Sequence, residues 1–478
     1  MMPKKFQYTA LLFILSCLWV SCANIMAPTG GPKDEKAPVL KKRSLQDSAL
    51  NFKGGKIQFE FDEFLQLKDI ENQLVITPLL AVKPKVTVHK KKATLYLHDS
   101  LLLPNTTYRI TFGNAIQDLH EGNAVQNLLF TFSTGSYFDS LTVNGMVYEA
   151  ETGKPDTAGW VLLYSLPVRD SVFYKQKPLY AQRTSSGVFK FENLPDKEFY
   201  IYSLRESNNN LKYDADGERI SFYQSKIKPA DSLQFITLYS FIEKEKMDTA
   251  TKKFRTRGNM ADPKKINTFG YTVNIDTVQK IKRTFDINDS IVIAFSDSIS
   301  NIDKSKIRLF QGDNFDATAV VFIDTSFKKI IVKTEWVQDA SYNLVLIKSF
   351  AENNQKLQAT ASTFNFKTRK ESDYGFLTIS TEADERRIIS LYKDEKLVSK
   401  KTASDTLVKF LFLNPGSYQL RVLDDKNKNG VWDTGNLYEK LLPEVVTLIS
   451  EPVTIKANWG NKITINTNAP KRKLKEKK

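Results

Sequence analysis

Oxygen-bearing side chains recur at alternate positions in LDDKNKNGVWDTG, residues 423–435. Asp425, Asn427, Asn429 and Asp433 take the first, third, fifth and ninth positions of a calcium loop, with Gly430 at the sharp turn and Val431 offering its carbonyl. Calcium is a hard cation, and a tight turn converges such oxygens on one point. The closing position holds Asn436 where a bidentate glutamate is needed, and no helical pattern flanks the loop. Two carboxylates imply a weak calcium site, in roughly the millimolar range of extracellular modules, unless Glu439 folds back to add a third. The competing expectation is a turn closed by Asn and Asp side chains bonding their own backbone.

A second stretch, RESNNNLKYDADG, residues 205–217, repeats the pattern with Glu206, Asn208, Asn210 and Asp214. It puts Leu211 where the later copy has Gly430. A turn that needs backbone freedom is expected to keep its glycine. The earlier copy is therefore the weaker metal candidate, and the pair reads first as one turn used twice. Trp432 and Tyr213 occupy matching positions and are expected to plug a sandwich end.

Catalytic chemistry finds little support. Of three histidines, His89 and His98 flank Lys90–Lys92 in a hairpin pattern, and His120 opens HEGN without the second histidine of a zinc helix. No nucleophile elbow or phosphate-cradling glycine loop occurs. Asp62 and Glu63 are adjacent on a strand pattern, so alternation turns them to opposite faces, unlike the facing carboxyls of a glycosidase. The expectation is a protein without catalytic activity and without a cofactor beyond weak calcium.

Both cysteines, Cys17 and Cys22, lie in MMPKKFQYTALLFILSCLWVSC, where Lys4 and Lys5 precede an apolar run that ends at Ser21. That run is too short for a comfortable span and has the order of an export signal. A secreted chain usually spends cysteines on disulfides, and this one has none beyond Cys22. The segment resembles a bacterial lipoprotein signal with Cys22 as the acylated first residue of the mature chain. The resemblance implies a partner in membrane lipid, since acyl chains add about 0.8 kcal/mol per buried CH₂. Ala23 after the cysteine implies transfer to the outer membrane, with the face left open. The formal charge of +15 is concentrated partly in Lys4, Lys5 and the terminal KRKLKEKK. Export and the lack of a groove-reading motif argue against nucleic acid.

Period-2 alternation dominates the remainder, as in KIQFEFDEF, YRITFG, WVLLYS, SIVIAF and YQLRVL. With 41% hydrophobic residues there is ample core for several sandwiches. Two internal repeats organise them. Ile57, Phe59, Phe61 and Glu63 align with Ile291, Ile293, Phe295 and Asp297, and the same offset sets Tyr108 on Tyr342, Phe132 on Phe366 and Thr134 on Thr368. A second offset sets Phe191 on Phe410, Leu194 on Leu413, Phe199 on Tyr418 and Tyr213 on Trp432. The order is A-B-A-B, with Phe191, Phe199, Phe410 and Tyr418 expected inside.

The A module, with FEFDEF, the Pro104–Tyr108 turn, GNAIQDLHEGNAV and FTFSTG, resembles bacterial Ig-like domains. The B module, with NGMVYEAETGKP, GVFKFENLP and FYIYSL, is similar to transthyretin-like domains found beside carboxypeptidases, which implies a scaffold and not peptidase chemistry. CANIMAPTGGPKDE resembles the start of Bacteroidetes lipoproteins that carry Ig-like domains.

The fold expected is all-β, four sandwiches in tandem alternating Ig-like and transthyretin-like. Its parts are a signal (1–21), tether (22–36), Ig-like domain (37–135), transthyretin-like sandwich (136–240), charged linker (241–252), second Ig-like domain (253–370), second transthyretin-like sandwich (371–465) and basic tail (466–478). The function expected is a lipid-anchored structural or interaction component of the outer membrane, including as a subunit of a barrel complex. The alternatives are an adhesin that grips glycan or matrix with aromatics such as Trp432 and Tyr438, and, less favoured, an enzyme.

Overall fold

The computed structural model describes residues 33–465 apart from 127, 166–176, 209, 215–216, 231–234, 244–268, 276–283 and 317. The signal segment, Cys22, most of the charged stretch after Phe241 and the basic tail lie outside the described residues. Of the described residues 50% are in strands and 4% in helix, so the fold is all-β, a tandem of β-sandwiches. The helix Ile70–Gln73 is a single turn between strands. Among the described residues no helix is long and apolar enough to cross a membrane.

In the first A module the strands Leu40–Arg43, Gly55–Phe61, Lys92–Leu97 and Lys85–His89 form one sheet in that spatial order. It packs on Val75–Thr77, Thr107–Thr111 and Leu129–Ser133. Alternation decides which side chains meet: Ile57, Phe59 and Phe61 all turn inward onto Ile110, Phe130 and Phe132. The second A module repeats the arrangement with Tyr271–Val273, Ile291–Phe295, Lys329–Lys333 and Val320–Ile323. Its facing sheet is built on Ile307–Gln311, Ser341–Leu346 and Ser362–Lys367.

The repeat extends to single hydrogen bonds. Tyr108 accepts the Leu103 N–H at its hydroxyl (2.7 Å), and Tyr342 accepts that of Val337 (3.1 Å). Thr134 Oγ1 donates to the Leu103 carbonyl as Thr368 Oγ1 does to that of Val337. Each tyrosine ring stacks on the matching phenylalanine, Phe132 at 5.3 Å or Phe366 at 5.7 Å. Buried polar atoms are satisfied in the same way twice because the strands that carry them pack in the same way twice.

Each B module pairs a three-stranded sheet with a larger one. In the first, Leu141–Glu149 lies between Val188–Leu194 (antiparallel) and Phe235–Ser240 (parallel). In the second, Gly375–Ser380 lies likewise between Leu407–Leu413 and Gly460–Thr464. Both carry one bulge at the same place, where Asn193 (φ 59) and Phe412 (φ 53) enter the left-handed region. Phe191, Phe199, Phe410 and Tyr418 are buried core residues, as alternation predicts.

Trp160–Tyr164 departs from alternation, being buried at all five positions. Its outer face is covered by Val75 and Leu79 of the first A module and by Trp432, Leu437 and Leu442 of the second B module. The run WVLLY therefore lies between two apolar layers. Phe241, taken from sequence as the start of a linker, is fully buried in the same cluster and bonds Ile220 through its backbone in both directions.

Candidate functional site

The strand Gly416–Asp424 delivers Asp425 into the fold, where it is almost wholly buried. Its carboxylate accepts the N–H groups of Asn429 (3.2 Å) and Gly430 (2.7 Å), closing the loop. Asn427 Oδ1 accepts the Asn429 N–H and Asn429 Oδ1 that of Val431. The amide groups of Asn427 and Asn429 donate to Asp433 Oδ2 at 2.7 and 2.6 Å. The four predicted ligands thus converge, but on one another: two amides donate to the Asp433 oxygen that a cation would use, and a metal would have to turn them away. Among the described residues no group of three or more His, Cys, Asp or Glu side chains is arranged to hold a metal ion.

Glu206, Asn208, Asn210 and Asp214 make the same bonds in the first copy. Glu206 accepts the Asn210 and Leu211 N–H groups, and the two asparagine amides donate to Asp214. Leu211 enters the left-handed region at φ 57 and Gly430 at φ 81. Leucine thus holds the same turn as glycine: the Glu206, Asn208 and Asn210 side chains accept the Asn210, Leu211 and Lys212 N–H groups and over-determine the backbone, and the leucine accepts the strain. Burial pushes the Glu206 carboxyl above its usual range, against the pull of the Leu211 and Asn210 N–H groups and with reinforcement from Glu218 and Asp214.

A further acid in each loop escaped sequence inspection. Glu444 Oε1 accepts the Lys426 N–H and Oε2 that of Asp433, and Glu218 Oε2 accepts that of Asp214. Both are buried. They follow Asp214 and Asp433 at unequal distances, so no constant spacing announces them. Glu439, the acid considered from sequence, is exposed.

The loop's effect is to aim Trp432. The indole donates to the Glu444 carbonyl (2.8 Å) and packs against Ile388, Leu423 and Val446 of its own module and the outer sheet of the first B module. It therefore seals a junction between modules, not the end of one sandwich. Around it, Glu243 accepts the Tyr213 hydroxyl (2.7 Å) and the Leu437 N–H (2.6 Å). Thr434 donates to the Ile242 carbonyl, Val446 N–H to that of Ala150, and Lys154 pairs with Glu395. The aromatic platform expected of Trp432 with Tyr438 does not form, since Trp432 spends its ring on this junction while Tyr438 is 53% exposed.

The remaining chemical candidates lie in the first A module. His89, His98 and His120 are all exposed, and His98 caps a short turn through Ser100. Asp62 and Glu63 lie beyond the strand end; Asp62 accepts the Val39 N–H and faces Lys41. Asp118 accepts four successive N–H groups, from His120 to Asn123, and so organises the GNAIQDLHEGNAV loop. In the second A module Asn353 takes that place, accepting from Gln355 and Leu357.

The bacterial Ig-like domain family matches residues 34–134, which is the first A module. None of the curated proteins matches the chain. Solved structures with similar features include the major pilin subunit of Bacillus cereus, 9% identical, over 67% of this chain and 99% of that one, at a TM-score of 0.15. The Bacillus anthracis TIE protein is 10% identical over 92% and 76% of the two chains, also at 0.15. The FN1–FN3 domains of chicken CNTN1 are 10% identical over 70% and 98%, at 0.13. Scores of this size carry no argument about the arrangement of the modules.

Proposed function

We propose that the chain is a non-catalytic, lipid-anchored component of the outer membrane of a Bacteroidetes-like bacterium, held through acylated Cys22. Its Ig-like and transthyretin-like modules alternate to form a scaffold that presents surfaces to an outer-membrane protein, a barrel assembly being the favoured partner. The observation that carries this reading is the junction at Trp432. The four oxygen side chains that sequence marked for a metal, Asp425, Asn427, Asn429 and Asp433, are spent on building a turn, and that turn aims Trp432 at the other B module. A chain that invests its twice-used oxygen cluster in module packing is organised for shape and contact.

The test is affinity purification of the full chain from detergent-solubilised outer membranes, beside a Cys22→Ser variant and a metabolic acyl label. Label on the wild type alone, with a barrel or lipoprotein partner recovered, is the expected result. Recovery of no such partner overturns the interaction reading, and label retained on the variant overturns the anchor.

A further inference from the structure

The two A modules share one fold and one register, so their outer faces can be compared residue by residue. In the first, Gln58 pairs with Thr94 and Thr94 with Thr87, a polar row across three strands. In the second, the corresponding row is Val292, Ile331 and Phe322. One pair further along, Lys85 beside Tyr96 in the first module becomes Val320 beside Lys333 in the second. Val321 and Ile323 face the core, so Val320 and Phe322 face outward, 59% and 41% exposed. Packing within the sandwich does not require this apolar row, because the first module does without it.

The row ends at an edge. Val320–Ile323 is the last strand of its sheet, and among the described residues no further strand pairs with it. Sandwich edges are commonly guarded by charge, as Lys85 and His89 guard the matching strand of the first module. Val320–Ile323 contains no charged residue, proline or glycine. An open backbone edge that continues an apolar row offers both parts of strand addition, main-chain hydrogen bonds and side-chain contacts.

Charge selects the occupant. Lys329 and Lys333 stand exposed at the two ends of the neighbouring strand, bracketing Ile331. Two nearby carboxylates are bonded locally: Asp324 accepts from Ser326 and from the Lys328 and Lys329 N–H groups, and Asp316 from Thr318 and Thr334. A second copy of this chain on the same edge would bring lysines towards lysines. A partner strand that is apolar at its centre and acidic at its ends complements the face.

We propose that the edge strand Val320–Ile323 accepts a strand from a partner protein, with an apolar side chain beside Phe322 and carboxylates directed to Lys329 and Lys333. This deepens the interaction reading above and rests on it.

The test replaces the edge with its own counterpart, as Val320→Lys with Phe322→Thr, residues that the first module shows to be compatible with this fold. The probe is a short labelled peptide with valine at the centre of one face and aspartate at both ends of that face; a control carries lysine at those ends. Fluorescence anisotropy is expected to show the acidic peptide binding the full chain at least about tenfold more tightly than the lysine control, and the double variant losing that binding. Equal binding of both peptides, no binding, or binding retained by the variant overturns the proposal. So does sedimentation of the wild type as a dimer that the variant abolishes, or flotation with phosphatidylglycerol vesicles that the variant abolishes. In outer-membrane purification, a double variant that keeps the wild type's partners removes this site and leaves the interaction reading standing. Loss of partners from neither, because neither has any, fails the reading itself.

Discussion

Leu211 and Gly430 hold the same left-handed turn in twin loops, at φ 57 and φ 81. A leucine in this region costs roughly 1–2 kcal/mol that a glycine avoids, yet the surrounding hydrogen bonds are the same. A Cβ on Gly430 meets nothing within 4 Å, so Gly430→Ala carries only the conformational cost. Urea denaturation is expected to show a loss of about 1 kcal/mol with an unchanged slope. A loss of cooperativity would show that this copy depends on glycine in a way its twin does not.

The same closure bears on calcium. Asn427 and Asn429 amides already supply Asp433 with positive dipole ends, and each Asp425 oxygen accepts a backbone N–H. Millimolar calcium is expected to raise the melting temperature no more than magnesium does. A calcium-specific rise that Asp425→Ala removes would establish the metal site and show that the amides turn.

At the junction, Trp432 and Glu243 join the two B modules by different forces. Trp432→Ala removes apolar cover from both sides and is expected to cost about 2 kcal/mol. Glu243→Ala strands the Leu437 N–H and Tyr213 hydroxyl and is expected to cost about 1–3 kcal/mol. Calorimetry should show the B modules melting together in the wild type and separately in Trp432→Ala. Unchanged coupling would remove the clamp from the scaffold reading.

What was legible in the sequence had a period. Phe59, Phe61, Phe410 and Tyr418 were placed inside by alternation, and Tyr108 and Tyr342 were matched by a constant offset before their hydroxyls were seen to make the same bond. What was not legible lacked one. Glu218 and Glu444 close their loops from unequal distances, and the packing of Trp432 on another module has no local signature. WVLLY reads as one more alternating strand, yet all five of its residues are buried, because the layer that covers its outer face comes from residues far along the chain. The apolar row at Phe322 emerges only when register sets it against Thr87.

The twin tyrosines give a paired test of the A modules. Tyr108→Phe and Tyr342→Phe each leave a backbone N–H, of Leu103 or Val337, without its acceptor while the ring stacking survives. Each is expected to cost about 1–3 kcal/mol. The two costs should add, because the sites share no partner. A marked departure from additivity in urea titrations would mean that the two tyrosine sites are energetically coupled.

Asp118 contributes to the acid sensitivity of the first A module. Burial pushes its carboxyl up, but the N–H groups of Gly122, Glu121, Asn123 and His120 outweigh burial and hold it below the usual range. As pH falls, the unfolded chain takes up a proton at this position first, near about pH 3.9. Its stabilisation is therefore complete above that value and is lost as pH drops through the lower folded value. Asp118→Asn keeps one acceptor oxygen, as Asn353 does in the second module, and removes the titration. The variant is expected to be less stable than wild type at neutral pH, with the difference narrowing below about pH 4. Fluorescence-monitored urea titrations from pH 7 down to the acid transition would show it, and a difference that stays constant over that span would mean that the four donors do not favour the charged form.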